Sequence, residues 1–133
     1  MAMLRKYEEF EDETGRVVRY RRGEAGGLVA GDAEVADDAR IGDQAWIDPG
    51  ARVGAGAFVG SHGWVERGAV VEPRAQLGRG VHVGRDAVVG AGARIGARAE
   101  IGAGAHVGPG AVVAEDAVVP EGAVVSRRHA MAA

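Results

Sequence analysis

Residues 87–113 read AVVGAG ARIGAR AEIGAG AHVGPG AVV, and the same six-residue pattern recurs throughout this stretch. An aliphatic residue stands at every sixth position from Val29 to Val125, and the phase never slips. A second register, two residues earlier, runs from Gly27 to Ala123 and holds only Gly, Ala or Val. A repeat with such a short fixed period predicts a solenoid rather than an ordinary globular core.

The spacing within one repeat predicts a short strand followed by a turn. Residues two apart in a strand face the same side, so the small and the aliphatic residue point inward and the residue between them points outward. We expect the frequent turn glycines to supply the positive φ that each bend needs, and Asp32, Asp38, Asp86 and Asp116 to replace them at some turns. Stacking such units buries the inward faces and makes a parallel β-helix.

The pattern Val-Gly-x-Gly-Ala-x closely resembles the hexapeptide-repeat family of bacterial acyltransferases over residues 26–126. That resemblance implies a left-handed parallel β-helix with three hexapeptides per coil, which gives about 5.7 coils here. Residues 6–29 also resemble the leader of uncharacterised, prophage-type hexapeptide-repeat proteins.

The chain is predicted to have three parts. Residues 1–25 leave the repeat, and Leu4–Phe10 and Arg16–Arg22 are predicted to form an N-terminal β-hairpin that caps the open end of the helix. Residues 26–126 form the β-helix. Residues 127–133 form a short C-terminal tail, either as a small helix or without order.

Composition excludes several classes of function. The chain has 133 residues, 23 of them Gly, no Cys and a net charge of −3. The absence of Cys excludes disulfides, thiolate metal sites and cysteine nucleophiles. The negative charge gives no attraction to nucleic acid, and no apolar run is long enough to cross a membrane. We expect a cytoplasmic protein, since the charged first residues resemble no secretory signal, with virion association as an alternative.

An 18-residue coil sorts the outward residues into three stripes. One stripe holds Leu28, Trp46, Trp64, His82, Glu100 and Val118; the next holds Glu34, Arg52, Val70, Val88, His106 and Val124; the third holds Arg40, Phe58, Gln76, Arg94 and Val112. Exposed apolar ladders on a solenoid indicate an interface. The predicted interface residues are Trp46, Trp64, Val70, Val88, His106 and Val124. The family resemblance implies a homotrimer.

The resemblance also implies acyl transfer from CoA with a histidine general base, commonly near a subunit interface. His82 is the best candidate, because Glu100 lies one coil later and is expected to sit beside its ring. The alternative is an ordinary cross-strand pair on the surface. His62 occupies a turn position, which favours a role in the turn, and His106 lies among the valines of the second stripe.

Other catalytic interpretations have less support. A γ-carbonic anhydrase binds zinc through three histidines, two of them five residues apart, and no such pair occurs here, so no metal site is predicted. The hexapeptides run without the inserted loop that carries the site in many family enzymes. The sequence therefore predicts first a rigid, oligomeric scaffold or interaction module without a cofactor. The alternative is a CoA-dependent O- or N-acyltransferase using acetyl-CoA or another acyl-CoA, and whether the chain is an enzyme stays open.

Overall fold

The computed structural model describes residues 7–12, 14–23 and 26–127. These residues form nineteen strands, β1–β19. No helix in this part of the chain is both long and apolar enough to cross a membrane. The predicted tail after Arg127 and residues 4–6 of the first predicted strand lie outside the described residues. The division of the chain into cap, helix and tail stays a prediction.

Strands β3–β19 wind into a prism with three walls. Wall 1 contains β3 (Leu28–Ala30), β6 (Trp46–Ile47), β9 (Trp64–Val65), β12 (His82–Val83), β15 (Glu100–Ile101) and β18 (Val118–Val119). Wall 2 contains β4 (Glu34–Val35), β7 (Arg52–Val53), β10 (Val70–Val71), β13 (Val88–Val89), β16 (His106–Val107) and β19 (Val124–Val125). Wall 3 contains β5 (Arg40–Ile41), β8 (Phe58–Val59), β11 (Gln76–Leu77), β14 (Arg94–Ile95) and β17 (Val112–Val113).

Neighbouring strands within each wall are parallel and come from successive coils. Val70 faces Val88 and Gln76 faces Arg94, so one coil is 18 residues long, as the family resemblance implied. The 17 strands β3–β19, at three per coil, make five complete coils and two strands of a sixth. The three predicted stripes of outward residues are therefore confirmed.

The interior is filled by the two inward registers. The aliphatic residues Ile47, Leu77 and Ile101 are at most 1% exposed, and the alanines of the small register from Ala45 to Ala117 are buried beside them. Among the described residues no charged side chain is buried, and Tyr20 is the buried side chain that carries a polar group. The narrow prism leaves room for one small and one branched side chain per wall in each coil, so the repeat contains few larger residues.

The two turn glycines have different physical roles, which corrects part of the sequence prediction. The second glycine of the turn, such as Gly92 (φ +68°), has the predicted positive φ, and Asp86 and Asp116 replace it with φ near +60°. The first glycine, such as Gly90, does not: a Cβ there would lie 2.6 Å from the nitrogen of Pro109 on the next coil. Close approach of coils, rather than backbone handedness, therefore requires Gly90.

Asp32 and Asp38 also differ from the prediction, because neither has positive φ. Their carboxylates accept hydrogen bonds from the backbone N–H of Gly50 and Gly56, one coil later, at 3.1 and 3.0 Å. At later turns the corresponding N–H bonds a backbone carbonyl, as Gly80 N does with Ser61 O. Two turns of the first coil thus use side chains, whereas its third turn, where Asp43 O accepts from His62 N–H, uses the backbone as later turns do.

The N-terminal hairpin extends wall 1. Its strands β1 (Tyr7–Glu11) and β2 (Val17–Arg22) are antiparallel, and β2 pairs with β3 through Tyr20↔Ala30. The rings of Phe10, Tyr20 and Trp46 pack edge to face, with centroids 5.0–5.6 Å apart. Hairpin and first coils are therefore joined by a hydrogen-bonded sheet and a small aromatic core.

Candidate active site on wall 1

Wall 1 brings the predicted site residues into one column. His82 lies between Trp64 on β9 and Glu100 on β15, each one coil away in the strand register. This neighbourhood is the one that the 18-residue coil predicted. The contacts of the side chains, however, add two residues that the prediction did not include.

The carboxylate that contacts the His82 ring is that of Glu66. Glu66 Oε2 forms a short hydrogen bond with His82 Nε2, and both side chains are about one third exposed, at 28% and 35%. Glu66 is the corner residue directly after β9. Glu100 has the predicted register position, but the expectation that it orients the ring is not met by the described contacts, since the imidazole turns back toward the preceding coil.

Trp64 covers the face of the same ring. Its ring centroid lies 4.5 Å from that of His82 and the two planes differ by 7°. The indole Nε1–H donates to Asp48 Oδ2 at 2.7 Å. Trp64 is 44% exposed, so one side chain both contacts the candidate base and reaches solvent.

Asp48 connects this cluster to the hairpin. Its Oδ1 accepts a hydrogen bond from the Tyr20 hydroxyl at 3.1 Å, while Oδ2 accepts from Trp64. Burial raises the pKa of the Asp48 carboxyl, and the hydrogen bonds from Trp64 and Tyr20 offset this only in part. Burial, reinforced by the charge of Asp48, also raises the pKa of Tyr20, which therefore stays a hydrogen-bond donor.

Two contacts of this site follow one geometric rule that the sequence contains. Asp48 and Glu66 both occupy the corner after the aliphatic residue, and each binds a ring nitrogen 16 residues later, on Trp64 and His82. Most hexapeptides have Gly at this corner. A carboxylate there, followed after 16 residues by a side chain with a ring N–H, is the signal that could have identified Glu66 and Asp48.

A cleft of about 720 Å³ opens between the hairpin and wall 1. Its lining includes Phe10, Tyr20, Leu28, Trp46, Asp48 and Trp64, together with Arg22 and His62. This volume is within the range of small-molecule sites. Trp64 lines the cleft and also stacks on His82, so the cleft and the candidate base share one wall residue.

The other predicted site residues lie apart from this cluster. His62 has φ +61° in a turn, as its position suggested. Trp46 is packed against the hairpin of its own chain, which removes much of its surface from any contact between subunits. Val70, Val88, His106 and Val124 share wall 2. Among the described residues, no group of three or more His, Asp or Glu side chains is placed to hold a metal ion.

The hexapeptide repeat of this chain is similar to that of known bacterial proteins. The family model for the bacterial transferase hexapeptide (six repeats) matches residues 92–127. No curated protein sequence matches the chain. A mutant of GDP-perosamine N-acetyltransferase from Caulobacter crescentus, solved with CoA and GDP-perosamine, is 29% identical with a TM-score of 0.77. The match covers 80% of this chain and 50% of that one.

The acetyltransferase domain of PglB from Neisseria gonorrhoeae, solved with acetyl coenzyme A, is 26% identical with a TM-score of 0.48, covering 77% of this chain and 55% of that one. The chain thus spans about half the length of each of these two solved structures. The resemblance to the hexapeptide-repeat family and the left-handed parallel β-helix are confirmed. The resemblance to prophage-type proteins stays a prediction.

Proposed function

We propose that this protein is a CoA-dependent acyltransferase in which His82 is the general base and Glu66 orients it. The observation that carries the proposal is the half-buried Glu66–His82 hydrogen bond on the exposed face of wall 1. The similarity to an N-acetyltransferase that binds CoA supports this function over the scaffold that the sequence favoured first.

The contacts of the ring assign roles to its two nitrogens. Because Nε2 faces the Glu66 carboxylate, it carries the proton, and Nδ1 holds the lone pair that accepts a proton. The acceptor amine or hydroxyl loses its proton to Nδ1 as it attacks the thioester carbonyl. The new C–N or C–O bond forms, the C–S bond breaks, and the proton passes to the CoA thiolate. Glu66 stabilises the imidazolium between these steps.

Arginines on the coils around His82 suit the phosphate groups of CoA. Residues 66–100 contain six arginines against four acids, two of which, Glu66 and Glu100, flank His82 itself. Arg79 and Arg85 lie in the turns before and after β12, both exposed, and neither forms an ion pair among the described residues. Exposed guanidinium groups recognise phosphate through paired N–H donors. The residues present therefore suit a polyphosphate ligand on this part of wall 1.

A homotrimer with sites between subunits is the assembly that we propose. Val70, Val88, His106 and Val124 form an in-register column on wall 2, and Val124 is 75% exposed. Exposed apolar ladders of this kind are typical of interfaces. Light scattering is expected to give the mass of three chains, and the mass of one chain at micromolar concentration would contradict the assembly.

The experiment that tests the function follows release of the CoA thiol from acetyl-CoA. The acceptor panel starts with a nucleotide-linked amino sugar, because the C. crescentus protein was solved with one, and includes simple amines and alcohols. His82→Ala is expected to lower turnover at least about 100-fold. Gln76→Ala, at the same outward position of wall 3, is the matched control and should retain activity.

Calorimetry with acetyl-CoA and CoA provides a second measurement. Binding of either ligand is expected at micromolar to millimolar concentration. Absence of binding, together with no thiol release for any acceptor, would overturn the acyltransferase and leave the scaffold interpretation standing.

A further inference from the structure

The contacts of His82 continue beyond Glu66 into the N-terminal hairpin. The Tyr20 hydroxyl donates to Asp48 at 3.1 Å, Trp64 Nε1 donates to the other oxygen of Asp48 at 2.7 Å, and the Trp64 ring stacks on His82. These residues come from β2, the corner after β6, β9 and β12. A contiguous path of side chains therefore joins the hairpin to the candidate base.

We propose that the hairpin positions the imidazole of His82 through Tyr20, Asp48 and Trp64, which makes these three residues positioning residues of the site. The catalytic consequence rests on the proposed acyltransferase function. The positioning itself is a property of the folded chain, and it is measurable without substrate.

A single hydrogen bond does not hold an imidazole in one plane. The Glu66 contact at Nε2 sets a distance and a direction, but it permits rotation of the ring about the bond. Trp64, parallel to the ring within 7°, removes that freedom because tilting the imidazole would drive it into the indole. Trp64 thus determines the plane in which Nδ1 is presented.

Trp64 in turn needs an anchor, since it is 44% exposed and its strand β9 is only two residues long. Asp48 supplies it by accepting the indole N–H, and Asp48 is oriented by the Tyr20 hydroxyl at its second oxygen. Tyr20 is only 7% exposed and packs against Phe10 and Trp46, which makes it the rigid end of the path.

A second contact joins the hairpin to the Glu66 side of the Glu66–His82 pair. Asp12, in the hairpin turn, lies 3.6 Å from Arg67, the residue that follows Glu66. The turn itself is held by Asp12, whose Oδ1 accepts from Thr14 and from the Arg16 backbone N–H. The hairpin therefore contacts the residue next to Glu66 directly, and it reaches the ring stacked on His82 through Asp48.

The decisive variant is Tyr20→Phe, which removes one hydroxyl and retains the ring that packs on Phe10 and Trp46. Its first readout is the NMR resonance of the His82 ring protons, which an indole stacked at 4.5 Å shifts upfield. We expect Tyr20→Phe to move these resonances part of the way toward their positions in Trp64→Leu. Trp64→Phe should lie between wild type and Trp64→Leu, because it keeps a stacking ring and loses the N–H.

The second readout is steady-state kinetics of thiol release. Tyr20→Phe and Asp48→Ala are expected to lower kcat about tenfold, with KM for acetyl-CoA changed less than twofold, because ring misorientation affects the chemical step. Glu9→Gln is the control: it breaks the exposed Arg19–Glu9 pair of the hairpin, which makes no contact with Asp48. It should leave both readouts at wild-type values.

The outcomes separate the two proposals. Unchanged His82 resonances in Tyr20→Phe and in Asp48→Ala would overturn the positioning role, even if His82→Ala abolishes acyl transfer. Shifted resonances in a protein that transfers no acyl group would support the positioning role and contradict the acyltransferase.

Discussion

The two halves of wall 1 share one backbone geometry and differ in chemistry. In the first half the corners after β6 and β9 are Asp48 and Glu66, and the rings of Trp64 and His82 turn back to bind them. In the second half the corners after β12 and β15 are glycines, and the outward residues Glu100 and Val118 are exposed. The hexapeptide repeat alone therefore makes no site, and the site arises where two corners depart from it.

The physical reason lies in how the coils stack at a corner. A Cβ on Gly84 would lie 2.6 Å from the nitrogen of Ala103 on the next coil, so the regular corner has no space for a side chain. At Asp48 and Glu66 the corner holds a carboxylate, and its oxygens reach the outward ring of the next coil. In the second half, the glycine corners let the coils pack closely and carry no side chain that could bind a ring on the next coil.

The largest expected effect contrasts the two glutamates beside His82. Glu66→Gln should lower kcat about 100-fold, because the uncharged amide no longer stabilises the imidazolium. Glu100→Gln should have a much smaller effect, since the ring contacts Glu66. Thiol-release kinetics of both variants measure the difference. A larger loss in Glu100→Gln would show that the register neighbour, and not the corner residue, orients the base.

The next effect concerns stability and the two kinds of glycine in the regular half. Gly84→Ala should destabilise the protein by about 1–3 kcal/mol, since the new methyl group overlaps the next coil. Gly104→Ala should cost about 1 kcal/mol, because nothing lies near its Cβ and only the positive φ, +67°, is unfavourable.

Substitution by asparagine distinguishes steric overlap with the next coil from an unfavourable positive φ, because asparagine tolerates the left-handed region. Gly104→Asn should be milder than Gly104→Ala, whereas Gly84→Asn should be at least as harmful as Gly84→Ala. Urea unfolding of the four variants provides the comparison, and equal rescue at both positions would contradict the assignment of close approach to Gly84.

A smaller effect is expected in the pH dependence of stability. Burial raises the folded pKa of Asp48 above its ordinary value of 3.8, so the folded state holds this proton more tightly than the unfolded chain. Stability from this group is therefore present at low pH and declines as pH rises through the folded pKa. Relative to Asp48→Asn, the wild type should lose stability as pH rises from 3.8, and urea unfolding in that range measures it. If the wild type instead became more stable relative to Asp48→Asn as the pH rises, the upward direction of the Asp48 pKa shift would be contradicted.

The smallest effect is expected at an exposed ion pair of the regular half. Arg98 Nε lies 2.8 Å from Asp116 Oδ1, and both side chains are mostly exposed, so solvent and salt screen the pair. Asp116→Asn keeps a residue that tolerates φ +61°. We expect no measurable change in the thermal midpoint, and a clear decrease that disappears at high salt would show that the pair contributes.

The repeat was predictable to the residue because its cause is local periodicity. An aliphatic residue every six positions predicts one short strand and one turn per hexapeptide. The coil of three hexapeptides that the family resemblance implied then places Trp64, His82 and Glu100 in one column. The hairpin was predictable for a similar reason, since two polar strands flank a glycine-containing turn. That Trp46 packs under this hairpin was not foreseen, because contacts between a repeat and a segment outside it have no period.

The sequence by itself determined the repeat of short strand and turn, because the two inward registers follow from spacing along the chain. The three walls and the column of candidate residues needed, in addition, the coil of three hexapeptides that the family resemblance implied. Only the tertiary structure decided which carboxylate reaches His82 and what holds Trp64 in place. Strand register determines which Cα atoms are neighbours. It does not determine the side-chain contacts, because each outward side chain has possible partners on both adjacent coils and at the corners between walls. His82 turned toward Glu66 rather than Glu100, and that choice depends on the three-dimensional surroundings of one ring.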